Sequence, residues 1–450
     1  MSQRKYLRYV LMSLVLLLSA CSRLGPGEPV QETGLAGIPA VVAGATSTTA
    51  ATVEIAATQP PPPTPTVVQG TVVIWHSWAE EDLAILAGII DAFQVQYPNV
   101  QFDVLYIPVE ELRQRYETAV REGTGPSLLL GPVEWAPLLY DGGVVQDLSS
   151  LADPGLLDSL SPPAVDAGRY KGALVGLPYA QAGVVLYRNP NIVVRAPDTY
   201  EQMVEFAREN TAGDEIGAFL ERSFFYGGAI LDGIGGLLMD ENGYPAFNNV
   251  KGVEWVELLR NYDLAGPISF QTDQDLDLFK EGRVGMIVDG TWNMAAISET
   301  LGADNVMIDP WPLYQQGALS GYVLPEMVYM TQRGGPQDQN AAWEFVRYFL
   351  SAPAQASLAA TGRIPTLREI SLENSLQAQA LQALLGGVPY PVRPEMAAYP
   401  NVLNTALKSV FESGVSPAVA LQSADLTIRQ ALDAVKAVTP AASPSPAPTP

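Results

Sequence analysis

Between residues 71 and 141 apolar runs of strand period alternate with stripes of helix period, and this order limits the fold more than any other feature of the chain. Residues 71–75 are β-branched and apolar, the pattern of a buried strand. Leu83, Leu86, Ile90, Phe93 and Tyr97 then recur at spacings of three and four, one side of a helix. Ser77 and Glu80 stand at the spacing of a capping box, and Pro98-Asn99 stops the helix. Residues 100–107 alternate around Phe102, Val104 and Tyr106; 110–122 reads as a helix, 127–130 as a strand and 134–141 as a third helix. A β-α-β-α-β start implies a parallel sheet with right-handed crossovers. Ligands of such sheets lie outside the carboxyl ends of the strands. Those ends are His76-Ser77-Trp78, Ile107-Pro108 and Gly131 to Trp135. His76 and Trp78 are therefore candidate ligand contacts, Trp78 as a stacking wall, with Ser77 as a helix cap.

After Pro197 the pattern turns helical, and Asp198 is expected to cap a helix over 199–210. Strands are expected at 184–187, 216–220 and 284–288. Helices are expected near 225–238, 250–264, 274–281, 341–350, 353–361, 374–385, 403–412 and 417–437. The reading is α/β: two lobes, each a mainly parallel sheet flanked by helices, joined by extended hinge segments near 178–188 and 316–331. Residues 70–180 with 324–380 form the first lobe in this scheme, and 181–323 with 381–438 the second. A chain of 450 residues has the length for such a bilobal body.

The ends of the chain are different in kind. Arg4, Lys5 and Arg8 precede an apolar run from Val10 to Leu18 that is too short to span a bilayer and suits the core of an export signal. Leu18-Ser19-Ala20-Cys21 resembles the lipobox of bacterial lipoproteins, which makes Cys21 the expected lipid attachment site and 1–21 a signal peptide. Residues 22–69 are rich in Ala, Thr and Pro, with a polyproline run at 59–65, and read as a disordered tether. Residues 439–450 read as a disordered tail. The expected location is the outer face of the cytoplasmic membrane, held there by lipid alone.

Lys plus Arg number 25 against 48 Asp plus Glu, a net charge of -23. No basic face is left for nucleic acid. One Cys and one His exclude a disulfide scaffold and a thiolate zinc site. With Cys21 in the export segment, His76 alone remains for His-dependent catalysis. No metal, cofactor or catalytic residue is expected.

Along residues 71–437 a series of motifs resembles the extracellular solute-binding proteins of carbohydrate ABC importers, in particular the maltose/oligosaccharide-binding group. Val73 to Trp78 resembles the family's first strand. Gly125-Pro126-Ser127 leading to Gly131 resembles its "GPDLLL". Tyr170-Lys171-Gly172 with Gly176-Leu177-Pro178 resembles "YNGKLYGLP". Phe279 to Gly282 and Met286 to Trp292 resemble "F-x-x-GKAAM-x-ING-x-W". Trp343 to Tyr348 resembles "WEFVRYLTS", and Arg393 to Met396 resembles "IPEM". The resemblance implies a periplasmic-binding-protein-like fold, a monomer that closes on a sugar and a permease partner. Sugar sites of this kind stack aromatic faces on pyranose rings and hydrogen-bond the hydroxyls with planar polar groups.

The resemblance carries roles to particular positions. Trp292 falls on the family's stacking tryptophan, Glu134 on its hydroxyl-accepting acid, and Phe225 near its second-lobe stacking aromatic. Trp135 replaces a basic residue, Asn404 an arginine, and Ala182 a glutamate whose role neighbouring Gln181 is expected to share. Tyr399 is expected to line the cleft. The missing charged groups disfavour maltose itself and leave a neutral saccharide. Two other readings stay open: the same fold binding glycerol-3-phosphate, a polyamine or an organic acid, and a surface glycosidase using two of Glu134, Asp289 and Glu326.

Overall fold

The structure is a computed structural model and describes residues 67–266, 268–269 and 273–438. Cys21, nearly all of the tether and the tail from 439 on lie outside the described residues. Eight strands form the main sheet: β1 (Gly70–His76), β2 (Val100–Tyr106), β3 (Leu128–Pro132), β4 (Leu177–Arg188), β5 (Met286–Gly290), β6 (Met307–Asp309), β7 (Tyr322–Met330) and β8 (Val388–Pro389). Their order is β6-β4-β7-β3-β1-β2, with β8 on β7 and β5 on β4. β1 pairs in parallel with β2 and β3, as the opening alternation predicts. The sheet as a whole is mixed rather than mainly parallel. β7 runs antiparallel to β3 and β4, and β4 antiparallel to β5 and β6. β4 and β7 are the segments expected to cross between lobes, and they run against each other and against β3, β5 and β6.

The crossing is made by continuous pairing. Residues 177–183 of β4 lie against β7, with a shift of register between Glu326 and Met327. From Val184 on, β4 lies against β5 instead, and Leu186 to Arg188 also pair with β6. Gly183 permits the crowding at this handover. A Cβ there would sit 2.4 Å from the Tyr322 carbonyl oxygen. At the end of β4 the Arg188 guanidinium grips Asp309 through two bonds, Nε to Oδ2 at 2.6 Å and Nη2 to Oδ1 at 3.0 Å. Its remaining nitrogen donates to the carbonyls of Val193 and Val194. Both side chains are buried.

The helix Leu83–Gln96 buries Leu86, Ile89, Ile90 and Phe93 on β1. Phe93 meets Phe102 and Phe345 edge-on at 5.7 and 5.3 Å, which closes the first core. No side chain caps this helix, and the Ser77–Glu80 capping box does not form. The chain instead runs extended through 77–79 and turns once at Glu80–Asp82, because Trp78 is drawn into the core before the helix begins. In the helix Tyr200–Glu209 the cap is Thr199, not Asp198. Thr199 is extended, and its Oγ1 accepts from the Gln202 N–H at 3.2 Å. The Tyr170-Lys171-Gly172 motif is a hairpin between Arg169–Tyr170 and Ala173–Leu174. Lys171 (φ 50°) and Gly172 (φ 84°) are both left-handed, the two-residue turn that matches strand twist.

One apolar cluster is continuous from Ile107, Trp135 and Tyr170 through Val184, Leu186 and Tyr322 of the two long strands to Phe224, Trp255 and Tyr390. Among the described residues no helix is long and apolar enough to cross a membrane.

Candidate saccharide site between the lobes

Two strand ends carry the same local device. β5 ends at Gly290, and Trp292 follows in the single turn Thr291–Asn293. The indole folds back over the glycine: a Cβ at 290 would sit 1.9 Å from its Cε2. Thr291 Oγ1 accepts from the Gly183 N–H at 3.1 Å and pins the turn to β4. Beneath it Asp289 accepts from the Gly290 N–H at 2.6 Å, from Asn293 Nδ2 and from the Tyr226 hydroxyl. In the first lobe β3 passes Gly131, and the Trp135 ring lies against that glycine, 2.5 Å from where a Cβ would be. Glu134 sits in the same turn, half-buried.

Around Trp292 the second lobe builds an aromatic row. The short helix Phe224–Gly227 presents Phe225, whose ring lies 5.9 Å from Trp292 and 6.3 Å from Tyr390. Tyr390 meets Tyr322 at 4.9 Å. Trp292 Nε1, Tyr390 OH and Tyr322 OH are buried with no hydrogen-bond partner among the described residues. Trp292 and Phe225 are half-buried, so both keep some ring face free.

Other expected contacts are placed elsewhere. Trp78 is core, not a wall. Its Nε1 donates to the Tyr179 hydroxyl at 3.0 Å, Phe349 stacks on it, and the Arg363 guanidinium sits 4.2 Å from its ring centre. Arg363 is held there by Asp82 at 2.6 Å and by Glu326, which also accepts from Tyr179. His76 is buried, and its Nδ1 accepts from the Trp78 N–H at 3.1 Å. Tyr399 is fully buried in the second lobe and donates to the Gly243 carbonyl at 2.7 Å. Asn404 Oδ1 accepts from the Phe224 N–H at 2.8 Å, a cap that positions Phe225 from behind. Gln181 is buried; its Nε2 donates to the Pro365 carbonyl at 2.9 Å, while its Oε1 has no partner among the described residues. Trp135 is buried against Gly131 rather than open to a ligand. Of the residues the motifs pointed to, Trp292 and Phe225 lie together with Tyr322 and Tyr390, which the sequence reading did not single out. The one cue for Tyr390 was an aromatic between two prolines just ahead of Arg393-Pro394-Glu395-Met396.

Two acids, Asp275 and Asp289, are buried, and two, Glu134 and Asp232, are half-buried. Burial pushes Glu134 up to about 7, Asp232 and Asp275 to about 7, and Asp289 to about 6. Burial, then the nearby Arg363 charge, holds His76 down at about 4. A carboxyl raised by folding stabilises the fold fully below its unfolded value near 4, and that contribution is lost as pH rises through the folded value. The imidazole works the other way and loses its contribution as pH falls from 6.5 toward 4. Four carboxyls oppose one imidazole, so the melting temperature is expected to fall between about pH 5 and pH 7.5. Glu134→Gln should flatten part of that slope in a calorimetric pH series. A melting temperature that climbs over this interval would contradict the burial assigned to these acids.

Residues 88–383 match the family model described as bacterial extracellular solute-binding protein. The maltotriose-binding protein of Pyrococcus abyssi is 24% identical over 360 residues, 76% of this chain and 78% of that one. The galactooligosaccharide-binding protein of Bacillus subtilis is 22% identical over 378 residues, 79% and 88% of the two chains. An extracellular solute-binding protein from Staphylococcus aureus, solved in complex with maltose, superposes with a TM-score of 0.73 at 19% identity, covering 81% of this chain and 98% of that one. The fold is thus the two-lobe fold of periplasmic binding proteins.

Proposed function

We propose, from the premise that the chain belongs to the family of bacterial extracellular solute-binding proteins, that it captures a neutral saccharide between its lobes and delivers it to the permease of an ABC importer. The observation that carries this reading is the aromatic row Phe225–Trp292–Tyr390 with its unpaired donors Trp292 Nε1 and Tyr390 OH. Ring faces suit the C–H faces of pyranoses, and buried polar groups without partners are groups waiting for a ligand's oxygens. The names of the relatives, which bind maltotriose and galactooligosaccharides, support the same class of ligand.

In this reading residues 70–180 with 324–380 and 181–323 with 381–438 are the lobes that part to admit the sugar. β4 and β7 carry the hinge. The body works as a monomer tethered at Cys21 to the outer face of the membrane. A thermal-shift screen over maltose, maltotriose and galactooligosaccharides tests the ligand, because a bound sugar raises stability as RT ln(1 + [L]/Kd). At least one of these is expected to raise the melting temperature in a concentration-dependent way. No shift at millimolar concentration of any of them would remove the saccharide reading. The tether is checked by the mass of the mature amino-terminal peptide, which should begin at Cys21 and carry lipid.

A further inference from the structure

Strand β7 leads from the aromatic row to the carboxyl end of β3. Tyr322, Leu324 and Glu326 follow one another at a period of two, so their side chains leave β7 on the same side. Pairing with β4 is regular from Val323 through Glu326, and the register shifts only beyond that point. Tyr322 belongs to the row, its ring 4.9 Å from Tyr390. Exposure grows along this side of the strand: Tyr322 is fully buried, Leu324 is 9% exposed, and the Glu326 side chain is 41% exposed. The cross-strand neighbours there are Ala182 opposite Leu324 and Ala180 opposite Glu326, both too short to cover a carboxylate. Glu326 also pairs with Pro132, the last residue of β3, and so stands where ligands of parallel strands are bound.

The carboxylate is held from behind. Glu326 Oε2 accepts from the Tyr179 hydroxyl and from Arg363 Nε, the latter at 3.3 Å. Tyr179 is buried and accepts in turn from Trp78 Nε1, while Arg363 is fixed by Asp82 and by the Trp78 ring. Glu326 Oε1 has no partner among the described residues. An acceptor aimed in advance loses little freedom when it binds. It also stands apart from the stacking surface. Thr291 Oγ1 pins the Trp292 turn to β4 at Gly183, three residues from Ala180, which is about 10 Å along a strand. We propose, on the saccharide reading above, that Glu326 is a specificity-determining residue of the site. Its Oε1 accepts from a hydroxyl of a second sugar unit, next to the unit stacked on Trp292, and Tyr179 and Arg363 are the residues that position it. The ligand class narrows to a saccharide of at least two units with a free hydroxyl beyond the stacked one. A site that hydrogen-bonds a ligand hydroxyl rejects analogues lacking it far more strongly than an apolar pocket does.

The test is Glu326→Gln in the full chain, titrated calorimetrically with maltotriose and with the galactooligosaccharides of the panel, and melted without ligand. Affinity for the saccharide that the wild-type chain binds is expected to fall about 10-fold, the effect of one hydrogen bond to a charged acceptor. Glu326→Asp keeps the charge beside Arg363 but draws the carboxylate back by one methylene. It should melt within a few degrees of the wild-type chain and lose affinity as well. Tyr179→Phe should weaken binding less, and Tyr179→Phe/Glu326→Gln no more than Glu326→Gln alone, because the phenol acts only through the carboxylate. A merely structural Glu326 gives a lower melting temperature with affinity unchanged in both Glu326 variants, and that result would overturn the assignment. Losses that add in the double variant would overturn the positioning role of Tyr179. If Trp292→Ala weakens binding and neither Glu326 variant does, the saccharide reading stands and Glu326 is left to its ion pair. A wild-type chain that binds no saccharide of the panel takes both down.

Discussion

Trp292→Ala is expected to bind maltotriose about 10- to 100-fold more weakly than the wild-type chain, with a melting temperature within a few degrees of it. Covering an aromatic side chain with a ligand is worth roughly 1.5–3 kcal/mol. Each hydroxyl hydrogen bond adds a net ~0.5–1.5 kcal/mol. At about 1.4 kcal/mol per tenfold, loss of the indole outweighs loss of any single polar contact in the site. The fold should tolerate the change because the ring is half-buried and rests on Gly290, with its Nε1 unpaired. A ring with a core role would give the reverse result, a large drop in melting temperature with affinity unchanged. Titration and melting of the one variant separate the two.

Asp309→Ala should destabilise the protein by about 3–5 kcal/mol, the largest effect expected of any single substitution named here. The mechanism is the charge left behind. Arg188 is buried, and two of its hydrogen bonds end on Asp309. Without that carboxylate a guanidinium stays in a region closed to water, with only the Val193 and Val194 carbonyls to accept from it. The pair also ties the β4–β6 edge together where Arg188 lies opposite Met307, so the loss falls on the second lobe's sheet. Replacing both partners by apolar residues of similar volume should recover most of the stability. Urea unfolding of the single and double variants reads both results. A single variant within 1 kcal/mol of wild type would mean that the pair is far better solvated than its burial implies.

The strands were legible because short apolar or alternating runs need no partner to be seen. β1, β2 and β3 appear close to where the alternation put them. β4 was read as an extended segment near 178–188, with a strand claimed only for 184–187. Gly183 interrupts the apolar run, and only the close approach of Tyr322 explains why a glycine belongs inside a strand. The mixed sheet was not legible, since strand direction depends on which crossing runs where.

For the site, Asp289-Gly290-Thr291-Trp292 carried its own geometry, because the glycine makes room for the ring. The strand-end rule located His76 and Trp78 correctly along the chain but says nothing of which way a side chain points, and both turn inward. Asn404 spends its carboxamide oxygen on a backbone N–H 180 residues away in sequence, a use that no local pattern reveals. Tyr390 left only a faint trace in the sequence for a deeper reason. A hydroxyl becomes conspicuous only when everything around it is known and nothing meets it.

The way β4 is shared between the lobes sets a waiting time during synthesis. β4 is finished at residue 188, yet β5, β6 and β7 begin only at residues 286, 307 and 322. At about 5–20 residues per second, β4 is made on the order of ten seconds before β7 exists to cover it. Until residue 286 is made, the longest strand of the sheet, with eleven of its twelve residues buried in the finished fold, has none of its neighbours. An uncovered strand edge is a template for pairing with another chain. The interval between the two crossings is therefore when a newborn copy of this protein is most exposed to association with its siblings.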